Sequence, residues 1–170
     1  MGPTTLRSTR SDRATRESLI VGALMGLSGG MTGFLVLTTS MGGGYGSFPA
    51  AGALAGFVAG TLVWRLNVAR RRTGASGLAS VCGAVAVLLA HYLTFCFQFL
   101  YVWMAHALFD GYTDSFGRPP VGPVHGLLKG APVLTAMSLF LVGWITVPLG
   151  AAPEVLVRLA ARALERRKLA

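Results

Sequence analysis

Residues 78–109 read LASVCGAVAVLLAHYLTFCFQFLYVWMAHALF, a run without one charged side chain. A helix rises about 1.5 Å per residue. This run is therefore long enough to cross a bilayer core of about 30 Å, with tilt or a protruding end to spare. Its residues do not alternate polar and apolar with period two, so they do not read as a barrel strand. Lipid then leaves a helix, whose backbone groups bond within the segment. Residues 18–40, 49–66 and 131–149 have the same character. Each reaches about the 20 residues a span needs. The sequence predicts an all-α integral membrane protein with four transmembrane helices.

Composition agrees. Of 170 residues, 53% are hydrophobic and 12% are charged, against about 25% charged in a soluble domain. A net charge of +9 would suggest nucleic acid in a soluble chain. Its distribution says otherwise. Arg7, Arg10, Arg13 and Arg16 precede the first span, and Arg65, Arg70, Arg71 and Arg72 follow the second. Arg158, Arg162, Arg166, Arg167 and Lys168 follow the fourth. The connection after the third span sets Asp110 and Asp114 against Arg118 and Lys129 and is neutral. With four crossings the excess falls on one side. Basic flanks stay cytoplasmic, so both termini are expected there. A prokaryotic plasma membrane is the first expectation and a mitochondrial inner membrane the second. The expected partners are membrane lipids, anionic on the cytoplasmic side, and other membrane subunits or further copies of the chain, not nucleic acid.

Three regions follow: a basic N-terminal segment (1–17), a transmembrane domain (18–152) and a basic amphipathic tail (153–170). Pro148 and Pro153 bracket the exit of the fourth span. Proline interrupts helices, so the tail is expected to break away as an interfacial helix. Val155, Leu156, Leu159, Ala163 and Leu164 share one face at helical spacing. Arg158, Arg162, Arg166 and Arg167 are expected at lipid headgroups. Trp64 and Arg65 read as a membrane-interface pair. Cys82 and Cys96 lie about 21 Å apart along one helix, too far for a disulfide or a shared metal. They read as small fillers.

The strongest local pattern is a pair of glycine zippers. Gly22, Gly26 and Gly30, with Gly33, recur on span one; Gly52, Gly56 and Gly60 recur on span two. Residues four apart share a helix face. Between helices in lipid, close backbone approach replaces hydrophobic attraction. These faces are expected to pack on each other. Four spans with small residues in the first two resemble the translocase family of the mitochondrial inner membrane. That family's Arg-x3-Asp signature is absent, because residues 70–76 contain no acid. The likeness stops at span count and small residues.

Span three holds the one polar constellation. At about 100° per residue, His91, Thr94, Gln98 and Tyr101 fall within roughly 80°, with His106 on the flank. Polar side chains in lipid turn toward protein or water and mark functional candidates. His91 and His106 lie about 22 Å apart along the axis, which resembles the spacing of stacked haem ligands in membrane cytochromes b. The partner helix of such sites is missing, since no His lies in span four. Neither haem b nor a quinone or pigment is therefore the first expectation, and no cofactor is assigned. No acid lies within the four stretches, which argues against a carboxylate-driven carrier. No nucleophile–base pair, metal-ligand spacing or nucleotide loop is present, so neither an enzyme nor a metal site is expected. The expected role is a non-catalytic membrane subunit or assembly partner. The alternatives are a small oligomeric transporter or channel that uses the polar face of span three, and a cofactor-binding subunit.

Overall fold

The computed structural model describes residues 3–39, 46–70, 76–109 and 119–167. They form α1 (Pro3–Thr39), α2 (Phe48–Arg70), α3 (Ser76–Leu108), the single turn α4 (Pro123–His125) and α5 (Ala131–Arg167). A π-helical turn, Gly126–Gly130, joins α4 to α5. Four stretches are long and apolar enough to cross a membrane: Ala14–Thr39, Phe48–Leu66, Val81–Leu108 and Pro123–Val157.

The distribution of side-chain size points the same way. Phe140 is 87% exposed and Trp144 74%, while Ala55, Ala59 and Ala86 are fully buried. Large apolar groups outside and small ones inside invert the pattern of a water-soluble bundle. Such a surface is stable against lipid and a liability in water. The chain is an all-α, multi-pass membrane protein.

The helices run alternately up and down, so the N-terminus, the end of α2 and the end of α5 share one end of the bundle. That end carries most of the basic residues and is called the basic end below. Around the bundle α1 packs on α2, α2 on α3, and α3 on α5; α5 meets α1 only sparsely. Val21, Met25, Val63, Trp64, Cys82, Ala86 and Val87 form a compact core in the basic half.

The α1–α2 contact runs through backbone. A Cβ on Gly26 would lie 2.9 Å from the Ala53 carbonyl oxygen, and one on Gly33 would lie 2.5 Å from that of Phe48. Gly29 and Gly52 face each other, Gly22 sits beneath Thr61, and Gly56 sits against the Met25 carbonyl. Gly30 approaches Ala53, and Gly60 approaches the Met25 side chain. Ala51, Ala55 and Ala59 are buried alongside. The α3–α5 contact has a different texture. Gly83 receives Ala151, the Phe99 ring lies over Gly126 and Gly130, and Val87 sits on Gly150.

Several details depart from the sequence reading. The helix that carries span one extends back to Pro3, ahead of the apolar stretch that begins at Ala14; proline suits a first helical position, where its missing N–H has no partner to lose. Trp64 is 3% exposed and belongs to the core, where Cys82 and Ala86 leave room for an indole. The break expected at Pro148 and Pro153 does not occur, and α5 runs through both. Each proline removes the donor for one carbonyl, that of Trp144 or Leu149. Packing on both flanks holds the helix: Gly150 under Val87, Ala151 on Gly83, and Val157 on the core. With that continuity Glu154 falls inside the apolar stretch and is 0% exposed. An acid is therefore enclosed where the sequence reading placed none.

Candidate functional site

The polar face of α3 divides. His91 turns toward α5 and bridges two hydroxyls two turns apart on one helical row. Its Nδ1 lies 3.0 Å from Ser138 Oγ, and its Nε2 lies 2.9 Å from Thr146 Oγ1. Thr146 also donates to the Val142 carbonyl at 3.2 Å. One hydroxyl hydrogen cannot serve both neighbours. The consistent assignment is a neutral imidazole: Nε2–H donates to Thr146, and Ser138 donates to Nδ1. Every polar atom of this trio then has a partner, as a low-dielectric interior requires.

Thr94 donates to its own helix at Ala90, 2.8 Å. Gln98 faces the start of α2, where Ser47 Oγ donates to its Oε1 at 2.6 Å. One turn deeper, the rings of Phe48 and Phe95 meet edge to face with centroids 6.0 Å apart. Tyr101 points outward, 51% exposed, and His106 lies near the far end of α3, partly buried. The five residues of the stripe therefore do not converge. His91 and Thr94 share one site, Gln98 ties α3 to α2, and Tyr101 departs. Arg158, Arg162, Arg166 and Arg167 lie on the last turns of α5, with side chains outside the described part.

His91 and Thr94 open onto a central cavity of about 100 Å³ walled by all four spanning helices. Ser28 and Thr32 of α1 and Ser138 and Thr146 of α5 supply further hydroxyls; Phe48 and Phe95 line it toward the far end. Met25 and Val87 line it toward the basic side. Met25 leans on Gly60, and Val87 rests directly on Gly150. Beyond this apolar layer lie the buried Ser18 and Glu154. The bundle thus has a polar layer, an apolar plug and a second polar layer along its axis. Among the described residues no group of three or more His, Cys, Asp or Glu is placed to hold a metal. Asp110 and Asp114 lie outside the described residues.

Sequence reasoning missed the α1 and α5 sides of this site. The signal was present: Ser28 and Thr32 are four apart, and Ser138, Val142, Thr146, Gly150 and Glu154 form one row at the same step. Single hydroxyls in an apolar run are too ordinary to draw notice without a facing histidine.

Comparison with family models, with curated proteins and with solved structures gave no match.

Proposed function

We propose that this protein is a non-catalytic membrane carrier that binds a small solute in the cavity around His91. The observation behind this reading is the cavity itself: polar side chains of α1, α3 and α5 line a space at mid-bundle. Polar groups at that depth are costly in lipid and mark solute paths. The Met25–Val87 layer acts as the closed gate on the basic side, and passage requires it to move. The basic flanks support a cytoplasmic setting for that side, with a prokaryotic plasma membrane as our reading.

Thiol accessibility tests the carrier reading. Ser28→Cys and Thr94→Cys are made in a Cys82→Ala/Cys96→Ala background and exposed to a small, water-soluble thiol reagent in membrane vesicles. Modification at both is expected. A cavity sealed from water on both sides leaves both unmodified, and the carrier reading then fails.

A second reading makes the chain an accessory subunit of a larger membrane complex, or one copy in a homo-oligomer, with the glycine faces as an internal zipper. The outward hydroxyl of Tyr101 favours it, as does the low burial of the fourth span, 11% of its window. A stoichiometric partner in a mild-detergent purification supports it. A monodisperse monomer that loses nothing on purification opposes it.

A further inference from the structure

The polar atoms that face the cavity are unequal in what they still offer. Thr32 donates to the Ser28 carbonyl at 3.0 Å, Thr94 to Ala90 at 2.8 Å and Thr146 to Val142 at 3.2 Å. With the tautomer assigned above, the Ser138 hydrogen goes to His91 Nδ1 and the His91 hydrogen to Thr146. A hydroxyl has one hydrogen and two lone pairs. Once the hydrogens are committed, the threonine oxygens present lone pairs. Among the cavity hydroxyls Ser28 alone makes no such donation in the described structure. The lining is therefore rich in acceptors and poor in donors. It also carries no formal charge among the described residues, and an unpaired ion in such a place is strongly disfavoured.

We propose that the cavity selects a small, uncharged molecule rich in N–H or O–H donors, of the class of urea, simple amides and small polyols. The proposal rests on the carrier reading above and adds the class of its solute. A guest with several donors and no charge meets the Thr32, Thr94 and Thr146 oxygens without displacing any existing bond. A guest with acceptors alone finds only the Ser28 hydrogen. A cation finds neutral oxygens and no countercharge. Size permits such a guest: about 100 Å³ is several times the roughly 10–15 Å³ that one water needs on the same measure, so a solute larger than water fits. The rings of Phe48 and Phe95 supply the apolar wall that such pockets use for shape.

The test is stopped-flow light scattering of proteoliposomes after an osmotic step of urea, with potassium chloride and pure water permeability as parallel arms. Wild-type protein is expected to speed urea entry well above protein-free vesicles and leave potassium flux unchanged. Thr32→Val with Thr94→Val keeps the shape and removes both acceptors. At about 1 kcal/mol for each lost hydrogen bond, the protein-dependent rate should fall roughly tenfold or more. Thr32→Ser with Thr94→Ser keeps both oxygens and should retain most of it. Potassium flux, or faster water entry with urea excluded, overturns the assigned class. So does unchanged urea flux in the valine pair when its melting temperature shows it folded. Protein that leaves urea entry unchanged overturns the class too. The cysteine modification described above then tells whether the carrier reading survives without it.

Discussion

At the scale of single residues, the decisive group is His91. It joins α3 to α5 through two hydroxyls, and each partner has an acceptor or donor role that the other cannot take over. Thr146→Val leaves the Nε2 hydrogen facing a methyl group. The expected loss is about 0.6–1.7 kcal/mol, the range found for hydrogen bonds between membrane helices. It is read from unfolding in mixed micelles. His91→Leu removes the same bond from the other side, so the double variant should lose less than the two single losses added together. Strict additivity means that His91 and Thr146 do not interact, and the assigned tautomer falls with it. That His91 and Thr94 matter was legible, because polar groups are rare in span three. Where they point was less so. An angular estimate at a fixed step gathered Tyr101 with His91, yet a stripe at steps of three and four drifts around the helix. Ten residues on, Tyr101 has left the interior. Glu154 was hidden for another reason: two prolines beside it made an end of helix the natural expectation.

At the scale of elements, the two hairpins are built on different contacts. Helices α1 and α2 touch through glycine and carbonyl groups, which the repeat of glycines at a step of four made readable. Gly56→Ile puts a branched side chain against the Met25 carbonyl, and neither helix has a flexible atom there to yield. Overpacking of this kind costs about 1–3 kcal/mol or more, seen as a lower melting temperature in detergent. Gly46→Ala is the control, since nothing lies within 4 Å of its added carbon. Equal melting of the two variants removes the close-packed seam as an explanation. Helix α3 meets α5 through Val87 on Gly150 and Ala151 on Gly83, and meets the π-helical turn through Phe99 over Gly126 and Gly130. Gly83 and Gly150 gave no periodic signal, and the Gly126–Gly130 pair lies outside the stretch 131–149 read as the fourth span. The continuity of α5 was misread for a related reason. Proline rules describe the loss of one bond, and they do not include the burial of the residues on either side.

At the scale of the whole molecule, the four spans followed from hydropathy alone, because lipid permits so few backbone solutions. Orientation is an expectation from charge and can be measured. In the cysteine-free background, Val121→Cys should react with an impermeant thiol reagent on intact cells. Asp12→Cys should react only after permeabilisation. The opposite pattern reverses the topology.

Most α1–α2 glycines meet backbone of the facing helix, whereas between α3 and α5 only Gly83 meets backbone, that of Ala151, and Val87 sits on Gly150 by its side chain. On the carrier reading proposed above, the α1–α2 hairpin is the stiffer leaf and movement is expected across the thin α1–α5 seam. Spin labels at the exposed positions Leu27 and Leu54 should then report one narrow distance under all conditions. Labels at Leu27 and Phe140 should report a broad or bimodal one that sharpens when solute is added. On that reading, a frame with one stiff leaf needs only one moving wall to open a chamber.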